Sequence, residues 1–223
     1  MPLQHLPRWI LITTFLLAMN AGIVNVLGLF CLLHQSISHM TGNVSFLAMA
    51  LLQQDFHHAF YLVWVLIFYV LGSSYSGFIL GNSQFQLNQR YGLPMSLVAI
   101  FIALCWIFLP YYPRYALLWA SAAMGMQNAM ISHYKGTIIR TTHLSGVLTD
   151  LGLALGYTFK GLAVERRRII LHLMIFFGFL TGGVIAAITY PIYDLHAFLL
   201  PTALSIVLAC VYWLIWLRFR KLT

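Results

Sequence analysis

Apolar positions fall into long blocks broken by a few polar clusters. Near-continuous apolar runs cover 9–33, 58–81, 95–112, 115–133, 169–190 and 197–217. Each is close to or above the roughly 20 residues a helix needs to cross about 30 Å of hydrocarbon. The pattern predicts six long transmembrane helices. Two shorter runs, 41–53 and 145–159, open in the polar stretches "SISHMTGNVS" and "RTTHLSGVLTD", and are predicted as short helices, either tilted or re-entrant. The fold class is therefore all-α, a polytopic membrane protein, with residues 1–223 forming a single membrane domain.

The blocks recur. A shift of 104 residues lays His39 on His143, Thr41 on Ser145, Gly42 on Gly146 and Ser45 on Thr149, and a shift of 103 lays Asn25 on Asn128. This predicts two internal repeats, 1–112 and 113–223. Each holds a long helix bearing an Asn, a polar connection, a short helix and two further spans. Three crossings per repeat make the halves inverted, as in many secondary transporters with a midplane site between repeats; four make them parallel.

Composition fits a bilayer and narrows the chemistry. Hydrophobic residues make up 61% of the 223 and charged residues 7%, far from the balance of a soluble domain. The net charge of +8 comes from basic residues beside apolar runs, the pattern of cytoplasmic flanks rather than of a nucleic-acid interface; no nucleic-acid partner is expected. Six crossings leave only Arg114 outside, whereas eight leave Arg90, Lys135 and Arg140 outside, so the charge rule favours six, with both termini cytoplasmic. Arg8 ahead of the first apolar run resembles a signal-peptide start, but no cleavage site follows, and the run is kept as the first membrane helix. Cys31, Cys105 and Cys210 are isolated in apolar stretches, which indicates neither a disulfide framework nor a zinc site. The histidines lack metal-ligand spacing and no nucleophile or paired-acid motif is present, so no metal, cofactor or enzyme activity is expected.

The polar residues inside apolar runs have both structural and functional readings. Thr41 and Ser145 suit the capping of short helices whose first N–H groups have no water nearby. The sets Thr41, Ser45, Ala48 and Ser145, Thr149, Gly152 place small residues in a stripe on each short helix, which suits close helix packing, as do Gly77–Gly81 and Gly178–Gly182. Asn20, Asn25, Gln127 and Asn128 need partners because an unpaired amide in hydrocarbon is costly; they bond to one another or line a hydrated cavity. Arg140 and Asp150 are expected to pair. Together with a helix N-terminus, Arg140 suits an anionic solute.

"AGIVNVLGLF" with "SHMTGNVS", and "GMQNAMISHYKGTIIRTTHLSGVLTDLG", resemble the paired signatures of the YoaK family, bacterial multi-pass inner-membrane proteins of unknown function. The resemblance spans nearly the whole chain and implies the same membrane fold and a permease-like role without a substrate. In that family the position of Asn25 is often Asp and that of Ser145 often Thr, so no acidic role carries over to Asn25.

The expectation is a small-solute transporter, its solute anionic, with the pathway between repeats lined by Asn25, Thr41, Asn43, Gln127, Asn128, Arg140, Thr142, His143 and Asp150. Arg140 binds the solute, the amides orient it, and Asp150 or a histidine carries a coupling proton. The competing expectation is a non-transporting membrane scaffold or sensor in which the same residues only hold helices together. The expected partners are the lipid bilayer and the solute.

Overall fold

The computed structural model describes residues 8–31, 36–81, 89–131 and 141–220. Their elements are α1 (Arg8–Phe30), α2 (Met40–Leu52), α3 (Phe56–Leu80), α4 (Gln89–Phe108), α5 (Pro113–Ile131), α6 (Leu144–Phe159), α7 (Arg166–Tyr193), a 3-10 turn (Asp194–Phe198) and α8 (Leu199–Arg220). The described residues are thus helical in eight α-helices, six long and two short. The Asp55 carboxylate accepts from the His58 N–H at 3.0 Å and starts α3, and Gly81 at φ 55° ends it.

Four stretches are long and apolar enough to cross a membrane: Trp9–Phe30, Phe56–Leu80, Tyr91–Phe108 and Arg166–Arg218, the last running through α7, the turn and α8. The expectation of six spans differs from this at α5. That helix carries Ser121, Gln127 and Asn128 and is buried along almost its whole length. A helix enclosed by other helices has no lipid to satisfy, so it need not be apolar.

Side-chain contacts fix the direction of each long helix. Gly178 lies against Phe15, Gly182 against Met19, and Phe30 stacks on Tyr190 at 5.0 Å, so α1 and α7 run the same way. Ser121 donates to the Val65 carbonyl at 2.9 Å and Ser73 to the Gly125 carbonyl at 3.0 Å, so α3 and α5 also run together. α4 and α5 form an antiparallel pair through the tight turn at Leu109–Tyr112, with Phe101 against Trp119 at 5.4 Å. α8 is antiparallel to α1: Asn20 faces Ser205, and Trp9, at the start of α1, shares a cavity with Arg218.

The six long helices therefore alternate in direction along the chain. One buried cluster gathers Cys31, Leu109, Ala116, Ala197 and Phe198 at the end where α1, α4 and α7 finish. A second gathers Ile10, Leu80, Tyr91, Ile131, Leu171 and Tyr212 at the opposite end. Because α1 finishes and α3 begins at the same end, the 13 residues of α2 do not traverse the bundle. Because α5 finishes and α7 begins at the other end, neither does α6.

Four glycines let the backbones touch, in two matching crossings. A Cβ at Gly22 would collide with the carbonyl of Phe179, and one at Gly182 with that of Met19. In the other half, Gly125 lies against the Tyr69 carbonyl and Gly72 against that of Ala122. Gly22 and Gly125 are 103 residues apart, as are Met19 and Ala122, whereas Tyr69 and Phe179, like Gly72 and Gly182, are 110 apart. The expected packing role of Gly178–Gly182 is seen here. That of Gly77–Gly81 is not: a Cβ at either would meet nothing within 4 Å, because that face of α3 turns away from the bundle.

Candidate functional site

The two polar stretches enter the bundle from opposite ends, and each closes on an amide near the end of a long helix. In the first, the Asn25 Oδ1 accepts from the Ser36 hydroxyl, from the Ser38 hydroxyl at 3.0 Å and from the Ser38 N–H at 3.2 Å. The Ser36 hydroxyl also accepts from the His39 N–H at 3.0 Å, and Asn43 Nδ2 donates to the Ser36 carbonyl at 2.9 Å. Asn25, Ser36, Ser38 and Asn43 are all buried. The cluster ties the segment entering α2 to α1, and Met40, at the start of α2, packs beside Tyr61 and Val65 of α3.

In the second, Asn128 Nδ2 donates to the Thr142 hydroxyl at 2.6 Å and the Tyr69 hydroxyl at 2.7 Å, while its Oδ1 accepts from Thr141 at 3.1 Å. Gln127 Nε2 donates to the Thr141 hydroxyl at 3.2 Å and to the Leu17 carbonyl at 3.0 Å, reaching the middle of α1. Asn20 joins the same network through the Ser205 hydroxyl at 3.1 Å and Gln127 Oε1 at 3.4 Å. α1, α3, α5, α8 and the segment entering α6 thus meet through hydrogen bonds in a buried interior, where each unmade bond is expensive.

The short helices open alike. His39 and His143 stand at the N-cap positions with φ −96°, ψ 76° and φ −92°, ψ 64°. Their carbonyls accept from the Asn43 and Val147 N–H groups, each at 3.2 Å, and their rings lie over Gly42 and Gly146, where a Cβ would crowd them. The expectation that Thr41 and Ser145 cap these helices is corrected. Both lie two residues past the cap, exposed in the first turn, and their carbonyls accept from the Ser45 and Thr149 hydroxyls at 3.1 and 2.8 Å. The expected close-packing stripes Thr41, Ser45, Ala48 and Ser145, Thr149, Gly152 face outward as well, because the buried faces are those of Asn43 and Val147.

Asp150 stands apart from both clusters. Its Oδ2 accepts from Arg168 at 3.0 Å and lies 3.4 Å from His172 Nε2, in a cavity of about 260 Å³ between α6 and α7. Antiparallel packing of α6 on α7 presents Asp150 to that helix. Arg140, its expected partner, lies outside the described residues.

The structure therefore divides the expected site. Asn25 and Asn43 fall in one cluster, Gln127, Asn128 and Thr142 in the other, Asp150 in a third place, and Thr41 and His143 on the exposed side. Sequence reasoning missed the hydroxyl partners Ser36, Ser38 and Thr141, although they stand in the polar stretches themselves. It also missed Tyr69, Ser205, Arg168 and His172, which only tertiary packing supplies. Among the described residues, no group of three His, Cys, Asp or Glu side chains is placed to hold a metal ion.

A family model described as a protein of unknown function, DUF1275, matches residues 13–211. The chain belongs to that family. No curated protein and no solved structure matches it. The match takes in both amide clusters and the whole of α2 to α7, so the paired short helices lie within the family's shared segment.

Proposed function

We propose that this DUF1275 member is a multi-pass transporter of a small solute with an anionic group, built from two inverted repeats of three crossings each. The observation that carries the reading is the pair of short helices at opposite ends of the bundle, each led in by a buried polar segment bonded to a buried amide, Asn25 or Asn128. Broken or half-length helices facing each other across a repeat interface are the common construction of secondary transporters, whose helix N-termini point at anionic substrate groups. Further support comes from the alternating directions of the six long helices and the matching glycine crossings. In this reading the amides of Asn25, Asn43, Gln127 and Asn128, with Thr142, orient the solute. Arg140 supplies the charge partner, and Asp150, beside His172, handles a coupling proton.

The end bearing Lys160, Arg166, Arg167, Arg168 and Arg218 is assigned to the cytoplasm, with both termini on that side, and the membrane to the bacterial inner membrane. Among the described Lys and Arg side chains, Arg114 alone stands at the opposite end. The test is uptake into proteoliposomes screened with small carboxylates and inorganic anions. Asn25→Ala, Asn128→Ala, Arg140→Gln and Asp150→Asn are expected to abolish or cut uptake of whichever solute the wild type moves; unchanged uptake in all four overturns the assignment.

A second reading, a non-transporting scaffold or sensor, is favoured by one observation: Asn25, Gln127 and Asn128 spend their hydrogen bonds on other side chains and on backbone of this chain. It predicts that Asn128→Ala chiefly lowers thermal stability, whereas the transporter reading predicts that it chiefly abolishes solute movement.

A further inference from the structure

A cavity of about 510 Å³ opens at the basic end of the bundle, where α1 begins and α8 finishes. Its volume falls in the ~300–1,000 Å³ range of ligand pockets, but its walls are almost wholly apolar, with Leu17, Met95, Met130 and Leu208 lining the interior. Two features mark its mouth. Trp9, 40% exposed on the first turn of α1, is the residue type that settles at headgroup depth. Arg218, on the last turn of α8, is exposed and lines the same cavity.

Arg218 has no carboxylate partner among the described residues. The described carboxylates nearest in kind at this end, Asp150 and Glu165, both belong to the separate cavity between α6 and α7. A guanidinium at the rim of a dry, apolar hole is matched by a molecule with an anionic head and a hydrocarbon tail. The wall residues Val211 and Ile215 are 45% and 39% exposed, so part of the cavity wall also forms the outer apolar surface of α8.

We propose that this cavity is a binding site for an anionic phospholipid of the surrounding leaflet, one acyl chain lying against Met95 and Leu208 and the phosphodiester meeting Arg218. The site lies outside both amide clusters and Asp150, and it stands whether or not the protein moves a solute. It differs from a diffuse attraction of lipids to basic residues in requiring one chain inside the protein for each head bound.

The full chain, delipidated in detergent, is titrated with dioleoyl phosphatidylglycerol or dioleoyl phosphatidylcholine, and retained lipid is counted by native mass spectrometry. The wild type is expected to hold one phosphatidylglycerol about fivefold more tightly than the zwitterionic lipid, the scale of one arginine near an anionic surface. Arg218→Gln, an exposed change, should bring the two lipids to parity. Leu208→Trp, which fills the cavity, should reduce retention of both. Equal retention of the two lipids by the wild type overturns the proposal, as does a preference that survives Arg218→Gln. Displacement of phosphatidylglycerol by equimolar oleate also overturns it, in favour of a free fatty acid as the occupant.

Discussion

Asn128 Nδ2 donates to the Thr142 hydroxyl across 2.6 Å, tying the last turn of α5 to the segment that enters α6. Both residues are buried, and Asn128 also serves Thr141 and Tyr69. Asn128→Ala leaves several interior hydroxyls to find new partners, at a cost of about 1–3 kcal/mol. Thr142→Val removes one acceptor and keeps the shape, and should cost less. Thermal unfolding of the purified variants in one detergent checks this order, and equal losses would count against the network as drawn.

Gly182 and Gly72 each lie where a Cβ would strike a carbonyl of a neighbouring helix, whereas Gly77 faces open space. Gly182→Ala and Gly72→Ala are expected to destabilise by about 1–3 kcal/mol or more, the scale of overpacking. Gly77→Ala, within α3, should stabilise by about 0.5–1 kcal/mol through helix propensity. The opposite signs within one substitution type make the comparison independent of the detergent chosen.

Asp150 and Arg168 form an ion pair whose side chains are 33% and 50% exposed. A double-mutant cycle with Asp150→Asn and Arg168→Gln should give a coupling energy of only about 0.2–1 kcal/mol, shrinking as salt is added. A larger, salt-insensitive coupling would mean that the pair is shielded from solvent.

The alternating helix directions place Gln54, between α2 and α3, at the same end as His196 in the 3-10 turn, and Ala163, between α6 and α7, at the other. Single cysteines at these positions, with Cys210 replaced by Ser, should react with an impermeant thiol reagent as two groups: Gln54→Cys with His196→Cys, and Ala163→Cys from the opposite face. Eight crossings would instead put positions 54 and 163 on one face and 196 on the other.

Much of this was legible in the order of residues. Long apolar blocks became α1, α3, α4, α7 and α8, because apolar length and backbone hydrogen bonding leave a chain in lipid few alternatives to a helix. The polar stretches at Ser36 and Thr141 marked the starts of the two short helices, since polar atoms buried in an apolar chain must meet one another. The spacing of 103 to 104 residues also carried Asn25 onto Asn128 and Gly22 onto Gly125.

Other features were decided only in three dimensions. Local sequence pointed to Thr41 and Ser145 as caps, but the helices start two residues earlier, at His39 and His143, whose rings fit over Gly42 and Gly146. Asp150 meets Arg168 and His172 because α6 packs antiparallel on α7, which no local pattern announced; its expected partner Arg140 lies outside the described residues. The Gly77–Gly81 spacing matched that of Gly178–Gly182, yet only the latter faces a neighbour. Period and composition establish which residues share a helix and a face. Which helix that face meets, and therefore who bonds with Asn128, is set by the packing of α1 on α7 and of α3 on α5, through contacts between residues far apart in the chain.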